Sequence, residues 1–175
     1  MAEPGSPSFS KKVPTGDNRE RLVCDGCGFV DYVNPRIVVG AVCTWEDRVL
    51  LCRRAIEPRR GFWTMPAGFM EERESVEEGA AREAMEEAGA DIEIGPLLGV
   101  WSVPRLSQVH MMFVARMRSP HIEAGEESLE VRFFEWSEIP WAELAFPSVV
   151  AALRRFHEVR GRDSFEAFVG PLGER

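Results

Sequence analysis

The stretch "GFMEERESVEEGAAREAMEEAG", residues 68–89, decides the fold and carries the strongest chemical signal in the chain. Eight of its 22 residues are glutamates, and three of these, Glu83, Glu86 and Glu87, stand at positions i, i+3 and i+4. In a helix this spacing places three carboxylates on one face, where like charges repel each other. Such a cluster indicates either a solvated acidic face or a site for a cation that relieves the repulsion.

Local signals predict where this helix begins and ends. Ser75, followed three residues later by Glu78, forms the pattern of a capping box, and Gly89 is a typical residue for a helix end. Between them runs a stripe of mostly small side chains with a spacing of four residues: Val76, Ala80, Ala84 and Ala88. Small side chains on one face predict a helix that can approach a sheet closely.

The acidic cluster predicts a site for divalent cations. Mg²⁺ prefers carboxylate oxygens and readily shares the oxygens of a phosphate. Arg82 lies beside the cluster and can orient a carboxylate, and the preceding segment "GFWTMPAGF" can direct the backbone carbonyl of Ala67 at the same cation. Bound cations polarise a diphosphate and lower the pKa of a bound water. These residues therefore favour chemistry on a phosphate-containing substrate.

The flanking segments predict strands on both sides of this helix and a second helix near the end. The segment "RIVVGAVCTWEDRVLLCRR" indicates two strands around a turn, and "PLLGVWSVP", "QVHMMFVARM" and "EVRFFEW" indicate three more. The segment "PSVVAALRRFHEVRG" is typical of an amphipathic helix whose inward side chains are Val149, Val150, Leu153 and Phe156. This order predicts an α/β (α+β) fold, an α/β/α sandwich with a mixed sheet.

The composition of the chain argues against several classes of protein. The chain has 175 residues and a formal net charge of −8, which argues against a broad nucleic-acid-binding surface. The first 20 residues lack the apolar core of a signal peptide, and no run of 18 apolar residues occurs, so we expect neither secretion nor membrane association. Four cysteines do not suggest a disulfide scaffold, so we expect a cytoplasmic protein.

One CxxC pair lies near the N-terminus. Cys24 and Cys27 flank a turn typical of a zinc knuckle, but a structural zinc needs four ligands and no second CxxC occurs. Two alternatives stay open: a knuckle without metal, or zinc completed by other ligands or a partner chain. Cys43 and Cys52 lie in apolar, strand-like segments and are expected to be core thiols.

The acidic stretch also follows a fixed pattern of positions: Gly68, five residues, Glu74, seven residues, Arg82-Glu83, apolar Ala84, one residue, Glu86-Glu87, one residue, Gly89 and apolar Ala90. It resembles an intact Nudix box, with every fixed position filled. The resemblance implies an α/β/α sandwich in which the box forms a loop, a helix and a loop. It also implies an enzyme that uses Mg²⁺ or Mn²⁺ to cleave a nucleoside diphosphate linked to another moiety.

The resemblance gives roles to particular residues. Glu83, Glu86 and Glu87 match the metal-binding glutamates, and Ala67 matches the position whose carbonyl often binds metal. Positions that mainly support the geometry of the box are matched by Gly68, Glu74, Arg82 and Gly89. Many Nudix enzymes take a further metal ligand or catalytic base from a later loop. Here we favour Glu127 over the alternatives Glu126 and Glu130, with surface acids without a role as the remaining reading.

Other segments resemble a subgroup of the family. "CDGCGFVDYVNPRIVVG" is similar to the zinc-ribbon end and first strand of two groups, the NADH pyrophosphatases and the enzymes acting on FAD and ADP-ribose. The Ser-Gln-Pro-Trp-Pro-Phe-Pro array of the first group is absent, which favours the second. The upstream CxxC of these relatives is also missing, which leaves zinc open. We therefore expect a flexible tail at 1–20, a partial ribbon at 21–35, a Nudix domain at 36–160 and a C-terminal tail at 161–175.

These resemblances imply a substrate, a site and an assembly. Hydrolysis of ADP-ribose or FAD would release AMP, with water attacking one phosphorus and Glu127 or a metal-bound hydroxide as the base. Arg53 and Arg54 are candidates for binding phosphate, and the adenine could stack on one of four aromatic residues: Trp101 and Phe69, or Phe62 and Trp63. For each of these rings, packing in the core is the competing reading. The resemblance also implies a homodimer. Hydrolysis of NADH or of another nucleoside-diphosphate sugar is the alternative within the class, and a nucleotide sensor without catalysis is the alternative from another class.

Overall fold

The computed structural model describes residues 8–162 and 164–173, and the chain divides into two compact units, Met1–Pro35 and Arg36–Arg175. The first unit contains a three-stranded antiparallel sheet in the order β1–β2–β3. Its strands are β1 (Phe9–Lys12), β2 (Arg21–Cys24) and β3 (Val30–Asp31). Residues 9–12 thus form a paired strand inside the segment that the sequence led us to expect as a tail; residues 1–7 lie outside the described part.

The second unit is built on an eight-stranded mixed sheet with two helices. In chain order its elements are β4 (Arg36–Trp45), β5 (Arg48–Arg54), β6 (Trp63–Thr64), β7 (Ala67–Phe69), α1 (Val76–Ala88), β8 (Ile92–Val103), β9 (Gln108–Met117), β10 (Ser128–Phe134), α2 (Pro147–Val159) and β11 (Phe168–Pro171). The strand order is β10–β5–β4–β9–β8–β11, with β6 paired to β5 and β7 to β4. The β4–β9 and β8–β11 pairs are parallel, and the other pairs are antiparallel.

The two helices cover opposite faces of this sheet. Successive side chains of a strand point to opposite faces, and β4 shows this alternation clearly. Val39, Ala41 and Cys43 pack with the alanine stripe of α1, whereas Val42 packs with Leu153 of α2. The expected α/β/α sandwich is therefore confirmed. No helix in the described ranges is long and apolar enough to cross a bilayer.

The boundaries of α1 follow the predicted signals. The Ser75 hydroxyl accepts a hydrogen bond from the Glu78 backbone N–H at 3.1 Å, and the Glu78 carboxylate accepts one from the Ser75 N–H at 2.7 Å. Gly89 takes a left-handed conformation, with φ 59°, and its N–H donates to the carbonyls of Ala84 and Met85. Ala80, Ala84 and Ala88 of the stripe are fully buried. The close approach of α1 to the sheet places its acidic residues beside β7.

The segment after α2 contains a strand where we expected a tail. β11 pairs in parallel with β8, matching Phe168 with Gly99 and Gly170 with Trp101. The ring of Phe168 stacks on Trp101, with centroids 5.3 Å apart. The strand is only four residues long and its partner lies far away in sequence, so no local pattern predicts the pairing.

Candidate active site

Three acidic side chains of α1 form the centre of the candidate site. Glu83 and Glu87 are almost buried, with 9% and 6% of their surface exposed, while the side chain of Glu86 is 59% exposed. Burying a carboxylate is costly unless it is paired or neutralised. This helix nevertheless places two of them side by side next to β7, an arrangement that packing alone does not explain.

Arg82 links the helix to the loop before it. Its guanidinium donates to both carboxylate oxygens of Glu74, at 3.0 and 2.8 Å, and to the backbone carbonyl of Phe69 at 3.1 Å. The same group donates to Glu83 at 2.8 Å and to Glu86 at 2.9 Å. The bonds from Arg82 lower the pKa of Glu74 to about 2, so Glu74 stays ionised. One arginine thus orients two of the three acids of the cluster and anchors the loop.

The loop approaches the acids closely because of a glycine. A Cβ atom at Gly68 would collide with the carboxylate of Glu83. The neighbouring Ala67 backbone N–H donates to Glu87 at 3.3 Å, and Ala67 pairs with Gly40 in the ladder between β4 and β7. Strand β7 therefore holds the Ala67 backbone beside the acidic cluster, as a carbonyl ligand to the same cation would require.

The buried acids have raised pKa values. Burial raises the pKa of Glu87 to about 8, and the negative charge of Glu83 adds to this effect; the Ala67 N–H and the positive charge of Arg54 oppose it. Burial likewise raises the pKa of Glu83, against the lowering effect of Arg82. Carboxylates in such a position either hold a proton or are compensated by a cation. The site is therefore suited to exchange a proton for a metal ion.

The charge of the loop residue Glu127 acts on this cluster. Its negative charge contributes to the raised pKa of both Glu83 and Glu87. Its backbone carbonyl accepts a hydrogen bond from the Ala55 N–H at 2.7 Å. Glu126 and Glu127 are both exposed, and Glu130 faces Arg53 on the neighbouring strand at 3.8 Å. Of the three acids, Glu127 is the one whose charge acts on both Glu83 and Glu87, and its role in the reaction stays a prediction.

Gly125 fixes the loop that carries Glu127, although no motif in the sequence marks this glycine. The Gly125 N–H donates to the Glu87 carbonyl at 3.2 Å, and the Glu123 N–H donates to the Ala88 carbonyl at 2.8 Å. A Cβ at Gly125 would collide with the backbone carbonyl of Glu86. The position of this glycine directly before the acids in "AGEESLE" could have indicated that the loop packs closely on another element. A loop that touches a helix backbone needs a residue without a side chain at the contact.

The two candidate arginines take different positions. Arg54 lies close enough to Glu87 to lower its pKa, donates to the Pro58 carbonyl at 3.0 Å and stands over the Phe146 ring at 5.1 Å. Arg53 donates to the Gly61 carbonyl at 2.9 Å and faces Glu130. Of the two arginines, Arg54 is the one whose charge acts on Glu87.

The aromatic candidates divide into core and surface residues. Trp101 is 3% exposed and stacked with Phe168, and Trp63 is buried against Phe134, so the expectation of a free stacking face on Trp101 is not met. The Phe69 ring is 44% exposed, and the Arg36 guanidinium lies 4.5 Å from its centroid. Arg36 is a neighbour of the site that sequence reasoning missed, since only the β4–β7 pairing brings it to Phe69.

The donor set fits a hard divalent cation. Across 8–162 and 164–173, no three His, Cys, Asp or Glu side chains already stand together as a ligand set. Arg82 donates hydrogen bonds to oxygens of both Glu83 and Glu86. The oxygen-only chemistry, the raised pKa values and the cradle at Gly68 are those of a site for Mg²⁺ or Mn²⁺. The residues available to such an ion are Glu83, Glu86, Glu87, Glu127 and the Ala67 carbonyl.

Comparison with family models gives two matches. The model described as the NUDIX domain matches residues 34–158, which is most of the chain. The model described as Nudix N-terminal, a zinc ribbon, matches residues 5–33. The two matches meet close to the division between the two structural units.

Individual relatives and solved structures agree with these matches. An ADP-ribose pyrophosphatase from Methanocaldococcus jannaschii is 32% identical, over 66% of this chain and 69% of its own length. A NAD-capped RNA hydrolase NudC from Photobacterium profundum is 31% identical, over 74% of this chain but only 46% of its own length. The crystal structure of a NUDIX hydrolase from Nitrosomonas europaea is 41% identical with a TM-score of 0.91, covering 99% of both chains. An ADP-ribose pyrophosphatase from Streptococcus suis has a TM-score of 0.62 at 20% identity, over 78% of this chain and 99% of its own, which shows a shared fold.

Proposed function

The chain belongs to the Nudix hydrolase family, and from this membership we propose that it hydrolyses the pyrophosphate bond of ADP-ribose or FAD in a reaction that requires Mg²⁺ or Mn²⁺. The observation that carries the proposal is the complete acidic cluster of α1, with Arg82 holding Glu83 and Glu86 and with Glu127 close by. A binding module without activity would not need two costly buried carboxylates beside the Ala67 backbone.

Each residue has a role in this reaction. Glu83, Glu86, Glu87 and the Ala67 carbonyl would hold the cations, which when bound polarise the diphosphate and lower the pKa of a water. Arg82 keeps Glu83 and Glu86 in orientation, and Arg54, whose charge acts on Glu87, would bind a phosphate oxygen. The Glu127 carboxylate would accept a proton from the attacking water. Attack at one phosphorus breaks the P–O–P bond and gives AMP with ribose 5-phosphate or FMN.

The names of relatives support ADP-ribose as the first substrate to test. The Methanocaldococcus relative is called an ADP-ribose pyrophosphatase, and the match extends over two thirds of each chain. The NudC relative keeps a nicotinamide dinucleotide as the second candidate, although this chain lacks the Ser-Gln-Pro-Trp-Pro-Phe-Pro array. A cytoplasmic homodimer is part of the same proposal.

One experiment ranks these substrates and separates an enzyme from a sensor. The full chain is incubated with ADP-ribose, FAD or NADH at equal concentration, with and without Mg²⁺, and AMP is measured by chromatography. We expect Mg²⁺-dependent AMP release, fastest with ADP-ribose or FAD, and its loss in Glu86→Gln. Binding of ADP-ribose by calorimetry without AMP release under any of these conditions would overturn the proposal in favour of a sensor.

A further inference from the structure

The knuckle of the first unit, residues 24–27, brings two thiols together. The Cys24 sulfur accepts hydrogen bonds from the backbone N–H groups of Cys27 and Gly26 and from the Cys27 thiol, and these bonds lower the pKa of Cys24. Two backbone hydrogen bonds fix this turn. The Cys24 N–H donates to the Phe29 carbonyl at 2.8 Å, and the Gly28 N–H donates to the Cys24 carbonyl at 2.9 Å. Cys24 is buried and Cys27 is exposed. One sulfur is thus open to solvent, with a stabilised second sulfur beside it.

Among the described residues, those around the knuckle do not fit a structural zinc, and residues 1–7, outside the described part, contain no Cys or His. Four ligands are needed for a closed tetrahedral site. Strand β1 and Ser8 before it offer hydroxyls and an ammonium instead of thiols or imidazoles. Ser8, Ser10 and Lys12 all donate to the Asp25 carboxylate at 2.6 Å. The Asp25 backbone N–H also donates to the Ser8 carbonyl at 2.9 Å. A network centred on Asp25 therefore joins β1 to the knuckle by hydrogen bonds.

We propose that Cys24 and Cys27 form a redox-active dithiol that closes reversibly to an intramolecular disulfide. The oxidant is a low-molecular-weight disulfide. The exposed Cys27 thiolate attacks one sulfur of the oxidant, which forms a mixed disulfide and releases one thiolate. The Cys24 thiolate then attacks the Cys27 sulfur and releases the second thiolate. The chain loses two electrons and two protons, and the oxidant becomes two thiols.

The other two cysteines provide an internal comparison. Cys43 and Cys52 are buried in the sheet, and burial raises the pKa of Cys43 to about 12 and that of Cys52 well above its ordinary value. Reactivity with disulfides requires an accessible thiolate. We therefore expect Cys27, the exposed thiol, to react with the added disulfide and Cys24 to react only afterwards, with Cys27. Cys43 and Cys52 should stay unreactive in the folded chain.

Mass spectrometry tests the proposal. The folded full chain is treated with oxidised glutathione, the remaining thiols are alkylated, and the peptide containing residues 24–27 is analysed before and after reduction. We expect this peptide to lose two hydrogen atoms without gaining glutathione and to regain them on reduction. Cys27→Ser should abolish the change, whereas Cys43→Ala should leave it intact.

Measurement of the zinc content of the same protein can contradict the dithiol proposal. Zinc present at one equivalent per chain, or at one per two chains, and lost in Cys24→Ser, would overturn the proposal in favour of a metal site. Accumulation of only the glutathione adduct, or of disulfides between chains, would overturn it as well. None of these measurements depends on hydrolysis of a nucleotide, so the proposed function and the dithiol can fail independently.

Discussion

At the scale of single residues, Glu86 and Glu87 give the sharpest prediction for catalysis. Glu86→Gln and Glu87→Gln should each lower kcat by about 10²-fold or more, because each amide removes an anionic oxygen from the cation site. Both variants should remain folded, since Glu86 is largely exposed and a glutamine resembles the protonated form of Glu87. Turnover at saturating Mg²⁺ and thermal unfolding by circular dichroism measure the two effects. Near-full activity of both variants would contradict the assignment.

The raised pKa of Glu87 predicts how stability depends on pH. Its pKa is about 8 in the folded chain and 4.5 as the ordinary value, so between these values the folded state holds a proton that the unfolded state has released. Without divalent cations the free energy of unfolding should therefore fall as pH rises from about 4.5 to about 8. Melting temperatures in EDTA across this range measure the trend.

Two controls accompany this titration. Glu87→Gln should flatten the decline, because its side chain carries no proton to release. Mn²⁺ should raise the melting temperature most at the alkaline end, where the carboxylate is already free to bind it. A metal-free chain whose stability instead increases from pH 5 to pH 8 would contradict the raised pKa.

How much of the site could be predicted from the sequence differs from residue to residue. The spacing of Glu83, Glu86 and Glu87 placed them on one helical face, since that depends only on local geometry. Glu127 is favoured over Glu130 by its place six residues before Phe133, but the direction of each side chain depends on how the loop meets β5 and α1, which this spacing does not determine. Packing of Trp101 in the core is an alternative that its apolar segment already offers. Its stacking on Phe168 could not be predicted, since that residue lies 67 positions later in the sequence.

At the scale of elements, Gly125 controls how the loop between β9 and β10 meets α1. Gly125→Ala should push this loop away from the Glu86 carbonyl and displace Glu127. We expect kcat to fall about tenfold or more, since small misplacements of a catalytic group are costly. Gly173→Ala is the matched control, because a Cβ there meets nothing within 4 Å. Equal kinetics for the two variants would contradict a positioning role for the loop.

Sequence patterns predicted long elements better than short ones. Both helices and strands β4, β5, β8, β9 and β10 lie where periodicity and turn residues indicated, because each has enough residues to display its pattern. Strands β1 and β11 contain four residues each and lie in segments for which the sequence predicts tails. Each of them is defined by its pairing partner and by side-chain contacts such as Phe168 on Trp101, which no short window of sequence contains.

At the scale of the whole molecule, assembly remains a prediction. The family resemblance leads us to expect a homodimer of about 39 kDa, twice the 19.7 kDa of one chain. Sedimentation equilibrium across the concentrations used for activity measures the mass. A mass of one chain at concentrations with full activity would show that the site needs no second copy.

The parallel pairing of β4 with β9 has a consequence for folding kinetics. Five strands and helices lie between these two neighbours in sequence, so the centre of the sheet forms only after a large loop has closed, a topology of high contact order. Glu127 follows β9 and can approach α1 only after that closure. The site for divalent cations is therefore complete only late in folding. Bound cations should lower the unfolding rate while leaving the refolding rate almost unchanged.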